Sequence, residues 1–264
     1  MPGRLHGRTC LIVGGTSGIG LASARRFLEE GARLVVSGRD DRRGDGLAES
    51  VPILIADLAD PASIAGLVPE AVRRLGGRLD ILFHVAGISG RKLGDGPLDA
   101  CTDEGWDAVI DANARGVFLT NRAAIRQMRA QAIDDAGLRG TVLNVGSVLG
   151  WSPSPVLFNS FAYAASKAAI RGMTLNAAAT YAPDRIRFNL LAPGLIDTPM
   201  AARAATDPAI LTYLRTKQPI SGGPGTALDC AEAALYLCEP ASRFVTGAVL
   251  EVDGGWGVSE GQHR

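Results

Sequence analysis

The sequence predicts an α/β protein, in which helices cover both faces of a doubly wound, mostly parallel sheet of seven strands. Short apolar runs alternate with longer amphipathic or alanine-rich stretches along most of the 264 residues, a pattern typical of chains in which strand and helix alternate. The short runs are apolar almost throughout, as strands buried on both faces are. Because no repeat or linker interrupts the alternation, we expect one domain over residues 1–264.

Each element follows from this pattern. The strands are predicted, in chain order, at residues 9–13, 33–37, 53–56, 81–85, 141–145, 187–191 and 248–252. The helices are predicted at residues 20–30, 61–75, 104–131, 162–181 and 227–238. Residues 39–50 are charged and contain glycine, so we expect an irregular crossover there. Residues 195–225 contain four prolines and follow a strand, so we expect a long loop over a ligand site.

Composition excludes several kinds of partner. Lysine plus arginine equals aspartate plus glutamate, at 27 each, and no basic run is present, so we expect no nucleic-acid partner. No apolar run approaches the roughly 20 residues of a membrane helix, so we expect no membrane span. The four cysteines are scattered, and no histidine lies at metal-ligand spacing. We therefore expect a cytoplasmic protein with reduced thiols and no metal site.

A glycine-rich turn follows the first predicted strand and opens the next helix. Gly14, Gly18 and Gly20 are its glycines, and glycine allows a tight turn and a close approach to a ligand. The amino terminus of the helix offers unpaired N–H groups and a positive dipole to a pyrophosphate. The strand–turn–helix context therefore favours a dinucleotide site over a purely structural turn.

The spacing Gly14-x-x-x-Gly18-x-Gly20, with Thr16 and Ser17 inside it, resembles that of the short-chain dehydrogenase/reductase family. Within that family the chain is similar to the 3-oxoacyl-(acyl-carrier-protein) reductases. The resemblance implies a Rossmann fold and the interconversion of an alcohol and a ketone with a nicotinamide cofactor. It also implies that the residues of this turn, including Ile19, contact the cofactor.

Tyr163 and Lys167 lie four residues apart and so share one face of a predicted helix, with Asn159 and Ser160 upstream as candidate caps. A free phenol has a pKa of about 10, and lowering it by about 3 units requires about 4 kcal/mol. An ammonium about 4 Å away supplies that order of energy at an effective dielectric constant near 20. The pair can therefore act as an acid or a base near neutral pH.

The resemblance assigns partners to this pair. Ser147 matches a serine that orients the substrate oxygen, and Asn113 matches an asparagine that kinks its helix and holds a water in a proton relay. Tyr163 is then the acid/base group, and Lys167 lowers its pKa and binds the nicotinamide ribose. The apolar stretch 151–161 makes the interval between Ser147 and Tyr163 longer than is usual in the family, and we expect it to form a wall of the substrate pocket.

The remaining cofactor contacts also follow from the resemblance. Gly38 stands where an acidic residue would select NAD, and the neighbouring Arg39 suits a 2′-phosphate, so NADP(H) is favoured and NAD(H) stays possible. The family's other cofactor positions are matched by Asp57 and Leu58 near the adenine, Ala86 and Gly87 under the cofactor, and Pro193, Gly194, Ile196 and Thr198 near the nicotinamide.

The fourth predicted strand departs from the family pattern. His84 and Val85 replace two asparagines of the family pattern, and we expect His84 to be a core histidine rather than a base.

Hydride transfer is favoured because the Asn, Ser, Tyr and Lys set is intact. The alternatives are dehydration, epimerisation or enoyl reduction on the same fold, and a non-catalytic nucleotide-binding scaffold.

The predicted helices 104–131 and 162–181 resemble those through which family members form dimers and tetramers, so we expect a homotetramer or a homodimer.

Overall fold

One fully parallel sheet organises the protein. The computed structural model describes residues 2–42 and 44–260. The strand order is β3-β2-β1-β4-β5-β6-β7, with every neighbouring pair parallel. The strands are β1 (Thr9–Val13), β2 (Arg33–Gly38), β3 (Ile53–Ile55), β4 (Ile81–His84), β5 (Gly140–Val145), β6 (Ile186–Pro193) and β7 (Val249–Val252). The predicted doubly wound α/β class is confirmed, and the sheet is parallel throughout rather than mostly.

Helices cover both faces of this sheet. They are α1 (Gly18–Glu29), α2 (Pro61–Ala65), α3 (Leu67–Arg74), α4 (Asp103–Val109), α5 (Gly116–Ala130), α6 (Phe161–Tyr181), α7 (Ala202–Thr206), α8 (Pro208–Lys217) and α9 (Ala227–Cys238). Phe27 of α1 and Leu235 of α9 belong to the core on one face. Val68 of α3, Met128 of α5 and Ala178 of α6 belong to the core on the other face. No helix in the described part of the chain is long and apolar enough to cross a membrane.

Two predicted helices are interrupted. The helix expected at 61–75 is divided at Gly66 into α2 and α3. The helix expected at 104–131 contains a π-helical turn, Ile110–Arg115, between α4 and α5. Such turns insert an extra residue into the helix and are frequent at functional sites. This one contains Asn113, the residue expected to kink its helix.

The prediction of an extended loop at residues 195–225 was wrong, because α7 and α8 lie inside it. Asp207 caps α8 by accepting hydrogen bonds from the next turn, and Pro208 occupies the first helical position, a favourable start for a helix. Ile210 and Leu214 of α8 then pack against Trp256 near the end of the described chain. The lid, as we call residues 195–225, is therefore a packed helical segment.

Candidate active site

The candidate site lies where the strand order reverses, at the carboxyl ends of β1 and β4. From β1 the chain runs outward to β2 and β3, and from β4 it runs the other way, so the segments after these two strands diverge and leave a crevice. Gly14 follows β1, Ala86 and Gly87 follow β4, and Ser147 follows β5. The parallel sheet thus brings residues from distant parts of the chain to one edge.

The turn after β1 is closely packed at its glycines. The N–H groups of Gly14 and Gly15 both donate to the Ser37 carbonyl, at 3.0 Å. A Cβ at Gly20 would lie 2.0 Å from the Gly14 carbonyl oxygen, closer than any atom can approach. Ser17 precedes α1 but makes no capping hydrogen bond with its side chain. The first turn of α1 is therefore open to an outside acceptor, and a pyrophosphate fits it.

Residues at the end of β2 lie beside the glycine turn. A Cβ at Gly38 would lie 2.8 Å from the Thr16 hydroxyl. Asp40, which weakens the positive charge nearby, is bound by the Arg42 guanidinium through Nε at 2.9 Å and Nη2 at 2.6 Å, and these bonds lower the pKa of the Asp40 carboxyl. Arg39 donates no hydrogen bond to another residue within 2–42 and 44–260. Arg39 is exposed, and its charge also contributes to the lowered pKa of Asp40.

Asp57 and Leu58 follow β3 beside this region. The Asp57 carboxylate accepts the N–H of Ala59 at 2.9 Å, whereas Asp60 caps α2 through Ala62. Leu58 lies next to Gly116, where an added Cβ would come within 3.2 Å of the Leu58 Cβ. Capping of α2 therefore does not explain the presence of Asp57, because Asp60 provides that cap.

Ser147, Tyr163 and Lys167 lie together beyond β5. Ser147 is buried and begins a 3₁₀ turn, Val148–Gly150. That turn packs on α6 so closely that a Cβ at Gly150 would lie 2.9 Å from the Ala168 nitrogen. The Lys167 ammonium donates to the Val145 carbonyl at 3.0 Å and lies 5.5 Å from the centre of the Tyr163 ring.

The electrostatics of this group differ from the expectation. Burial raises the pKa of Tyr163, and a hydrogen bond with the Ser147 side chain opposes that rise only in part. Burial also lowers the pKa of Lys167 to about 8. The expected lowering of the phenol pKa is therefore not found, because desolvation outweighs the favourable contacts. The phenol is protonated at neutral pH in this arrangement.

Asn113 is fully buried, and its side-chain amide binds two other segments of the chain. Its Oδ1 accepts the N–H of Ile88 at 2.8 Å, and its Nδ2 donates to the Ile88 carbonyl and to the Ser166 hydroxyl, both at 3.0 Å. Ser166 in turn donates to the Tyr163 carbonyl at 2.8 Å. Both amide N–H groups are thus used within the chain, and the side chain connects the segment after β4 to α6.

The segment after β4 passes under the same residues. A Cβ at Gly87 would lie 2.9 Å from Asn113 Oδ1 and 3.5 Å from Lys167 Nζ, so glycine is required there. His84 is a buried core histidine as expected, with Nδ1 2.8 Å from the Thr120 hydroxyl. Its Nε2 is buried without a hydrogen-bond partner in the described part of the chain, so it is only half satisfied.

The segment after β6 closes the crevice. Pro193 ends β6, and the Gly194 N–H donates to the Val252 carbonyl at 3.0 Å. Ile196 pairs with Gly225 in a short parallel bridge. A Cβ at Gly18 would lie 3.3 Å from the Thr198 methyl carbon, so this segment lies against the glycine turn.

Two residues of the site were missed by sequence reasoning. Gln218, at the end of α8, accepts the Leu195 N–H at 2.6 Å and donates to the Leu195 carbonyl at 3.2 Å. Asp95 accepts hydrogen bonds at the start of α6, where the Ser160 side chain makes none. Both contacts join distant parts of the chain, and no local pattern indicates them.

The sheet, the glycine turn and this polar group together define a dinucleotide-binding enzyme. The described residues contain no cluster of three or more His, Cys, Asp or Glu side chains suited to a metal ion.

Known proteins place the chain within this class. A family model described as enoyl-(acyl carrier protein) reductase matches residues 13–257. The chain is 36% identical over 255 residues to the cis-4-hydroxycyclohexanecarboxylate dehydrogenase of Sinomonas cyclohexanicum, which covers 94% of this chain and 96% of that protein. It is 35% identical over 259 residues to the 3-oxoacyl-(acyl-carrier-protein) reductase of Thermotoga maritima, which covers 96% of this chain and 98% of that protein.

A solved structure agrees. The 3-ketoacyl-(acyl-carrier-protein) reductase of Brucella melitensis complexed with NADH is 30% identical and superimposes with a TM-score of 0.83, over 96% of this chain and all of that one. The chain belongs to the short-chain dehydrogenase/reductase family and is similar to its 3-oxoacyl-(acyl-carrier-protein) reductases. It is an oxidoreductase that acts on CH–OH groups and transfers a hydride between a nicotinamide cofactor and a carbonyl or alcohol.

Proposed function

We propose that the chain interconverts a ketone and a secondary alcohol with NADP(H), and that Tyr163 transfers the proton. The observation that supports this proposal is the convergence of Ser147, Tyr163 and Lys167 beside Gly87 at the carboxyl edge of the sheet. The nicotinamide supplies or accepts the hydride when it is bound. In reduction, the carbonyl carbon gains that hydride, and the carbonyl oxygen gains the phenol proton.

The side chains divide the remaining work. Ser147 hydrogen-bonds the substrate oxygen and holds it beside the phenol. Lys167 stabilises the phenolate left after proton transfer and binds the nicotinamide ribose. Asn113 acts by position, because its amide fixes both Ile88 and, through Ser166, the first turn of α6. A phenol that is protonated at neutral pH suits the direction of ketone reduction.

The preference for NADP(H) rests on the end of β2. Gly38 presents no carboxylate to repel a 2′-phosphate, the Asp40 carboxylate is paired with Arg42, and Arg39 is exposed. We expect Gly38→Asp to weaken NADPH binding at least about 10-fold, because a carboxylate repels the phosphate and accepts ribose hydroxyls instead. Fluorescence titration with NADPH and NADH measures this. A variant that still prefers NADPH would show that Gly38 does not select the cofactor. A wild type that prefers NADH would show that the cofactor is NAD(H) instead.

The substrate is proposed to be an apolar carbonyl compound, with cyclic ketones as the first candidates. The wall after Ser147 carries Leu157 and Phe158, which pack in the same apolar cluster as the lid residue Leu211. Met200 and Val156 are exposed apolar residues of the same two segments. A relative named for a hydroxycyclohexane acid and another named for a 3-oxoacyl substrate suggest the compounds to test first.

The decisive experiment follows NADPH absorbance at 340 nm with a panel containing 4-oxocyclohexanecarboxylate, a neutral cyclohexanone and an acetoacetyl thioester. We expect Tyr163→Phe to lower turnover by about 10²- to 10⁴-fold, the usual contribution of a general acid, and to leave NADPH affinity nearly unchanged. Tyr236→Phe, at an exposed position on α9, is the matched control and should keep full turnover. Full turnover in Tyr163→Phe would refute the mechanism, and NADPH binding without turnover of any carbonyl by the wild type would favour a scaffold.

We further propose that residues 1–264 form one domain, with residues 195–225 as its lid, and that this domain assembles into a homotetramer or homodimer in the cytoplasm. One sheet takes strands from Thr9 to Val252, which supports a single domain. Phe118 of α5 is 46% exposed and Leu175 of α6 is 38% exposed, which supports assembly through these two helices. The four cysteines are free thiols, as a reducing compartment requires.

A further inference from the structure

We propose that Asp95 is a positioning residue for proton transfer: its carboxylate caps the helix that carries Tyr163 and so fixes the phenol against its partners. The inference rests on the proposed function, because it assigns to Asp95 a role that acts through Tyr163. Asp95 lies in the loop between β4 and α4, far from α6 in the chain.

The contacts of Asp95 are those of a helix cap supplied from another part of the chain. Asp95 is buried, with 6% of its surface exposed. Its Oδ1 accepts the N–H of Ala162, and its Oδ2 accepts the N–H of Tyr163, both at 3.0 Å. The next residue, Gly96, accepts the N–H of Phe161 through its carbonyl at 3.1 Å. The three N–H groups that the first turn of α6 cannot satisfy internally are thus all bound by residues 95 and 96.

The local sequence provides no substitute for this cap. Ser160 occupies the N-cap position, but its side chain makes no capping hydrogen bond. The first turn of α6 contains no acidic residue, so Asp95 is also the carboxylate that meets the positive end of this helix dipole. Without Asp95, two N–H groups beside the predicted acid would lose their partners.

The loop that carries Asp95 is itself held in place. The Asp95 N–H donates to the Gly90 carbonyl at 3.1 Å, and the Thr102 N–H donates to the Gly94 carbonyl at 3.0 Å. Gly90 and Gly94 have φ values of 70° and 98°, in the region that favours glycine. A Cβ at Gly94 would lie 2.4 Å from the Thr102 hydroxyl. The cap is therefore presented by a tightly packed turn rather than by an open loop.

The part of α6 that carries the phenol is consequently held at two points. Lys167, one turn further along α6, is bound to the Val145 carbonyl of β5, which holds that turn to the sheet. Asp95 holds the preceding turn at the backbone of Tyr163 itself. A misplacement of about 1 Å can lower a reaction rate by about 10²-fold, so release of one anchor should act on the chemical step.

The test replaces the carboxylate by its isosteric amide, Asp95→Asn. An amide offers one oxygen where the carboxylate offers two, so one of the two backbone N–H groups then faces an NH₂ group. We expect the single-turnover rate of hydride transfer, measured at 340 nm with saturating NADPH and 4-oxocyclohexanecarboxylate, to fall about 10- to 100-fold. The dissociation constant of NADPH should stay within about 2-fold, and Asp95→Ala should lower the rate further.

Asp134→Asn is the matched control. Asp134 is also a carboxylate that accepts two backbone N–H groups, those of Ala136 and Leu138, and it pairs with Arg8. It lies at the opposite, amino-terminal edge of the sheet, just before β5. We expect Asp134→Asn to lower thermal stability without changing the hydride-transfer rate. If Asp95→Asn loses stability alone, with an unchanged transfer rate, Asp95 is only a structural cap and the proposal is wrong.

Amide hydrogen exchange supplies a readout that needs no substrate. In the wild type the N–H groups of Ala162 and Tyr163 should exchange slowly, and in Asp95→Asn at least one of them should exchange about 10-fold faster or more. Exchange that is already fast in the wild type overturns the proposal even if Asp95→Asn does not fold. Wild-type protein that binds NADPH, shows slow exchange and reduces no carbonyl of the panel would contradict the proposed function while leaving the cap itself demonstrated.

Discussion

Replacing His84 by asparagine should make the stability of the protein less dependent on pH. His84 ends β4 at the centre of the sheet and is 1% exposed. Its pKa is lowered from the ordinary 6.5 to about 3, mainly by burial and secondarily by the charge of Lys167. The buried imidazole is therefore neutral in the folded protein over a pH range in which the unfolded chain binds a proton.

The sign and size of the effect follow from this difference. Well above pH 6.5 neither state holds the proton, so the full stability is present there. Below pH 6.5 the unfolded state gains the proton and the folded state does not, so stability is lost as the pH falls from 6.5 towards about 3. The loss is about 1.4 kcal/mol for each pH unit, which corresponds to a fall in Tm of roughly 2–4 °C per kcal/mol for a protein of this size.

Urea unfolding at about pH 7, 6 and 5.5, at one protein concentration, measures the effect. We expect the wild type to lose about 1.3 kcal/mol between pH 7 and 5.5 from this residue, and His84→Asn to lack that contribution. His6→Asn removes an exposed imidazole and is the control. A wild-type pH dependence that persists unchanged in His84→Asn would show that the buried histidine does not carry it.

Three further predictions concern the site and its surroundings. Because burial raises the pKa of Tyr163, ketone reduction should be fastest at neutral pH and below, and the rate of alcohol oxidation should rise at alkaline pH. Initial rates in both directions measure this, and pH profiles that run parallel would contradict it. Gly20→Ala would place a Cβ 2.0 Å from the Gly14 oxygen, so fluorescence titration should show NADPH affinity at least about 10-fold lower. Phe118→Asp should shift light scattering to smaller species if α5 lies in the interface, whereas Ile133→Asp, also exposed, should not.

The parts of the protein that were predictable are those with a local cause. The strands are continuous apolar runs because helices bury both of their faces, so sequence and structure agree there. The glycine turn was recognisable because a Cβ at Gly20 has no space, a restriction that belongs to the turn itself. Tyr163 and Lys167 lie on one side of α6 because a helix places residues four apart on the same face.

The parts that could not be predicted depend on contacts between distant segments. The lid was expected to be a loop because of its prolines, yet α8 forms where Leu214 is buried against Trp256. The pKa of Tyr163 depends on how much protein surrounds it, which no spacing reveals. The partners of Asn113 come from Ile88 and Ser166, and only the folded chain brings these together.

The two ends of the lid bear on which changes of its length the protein can tolerate. The Gly225 N–H donates to the Leu195 carbonyl at 2.9 Å, and the Asp197 N–H donates to the Gly225 carbonyl at 2.8 Å. The two ends of the lid are thus hydrogen-bonded to each other just after β6 and just before α9. Since the entropy of closing such an excursion grows only slowly with its length, we expect insertions at the exposed residues Pro199 and Met200 to leave β6 and α9 in place. An insertion inside α8 would disturb its packing against Trp256, so only part of the lid can vary in length.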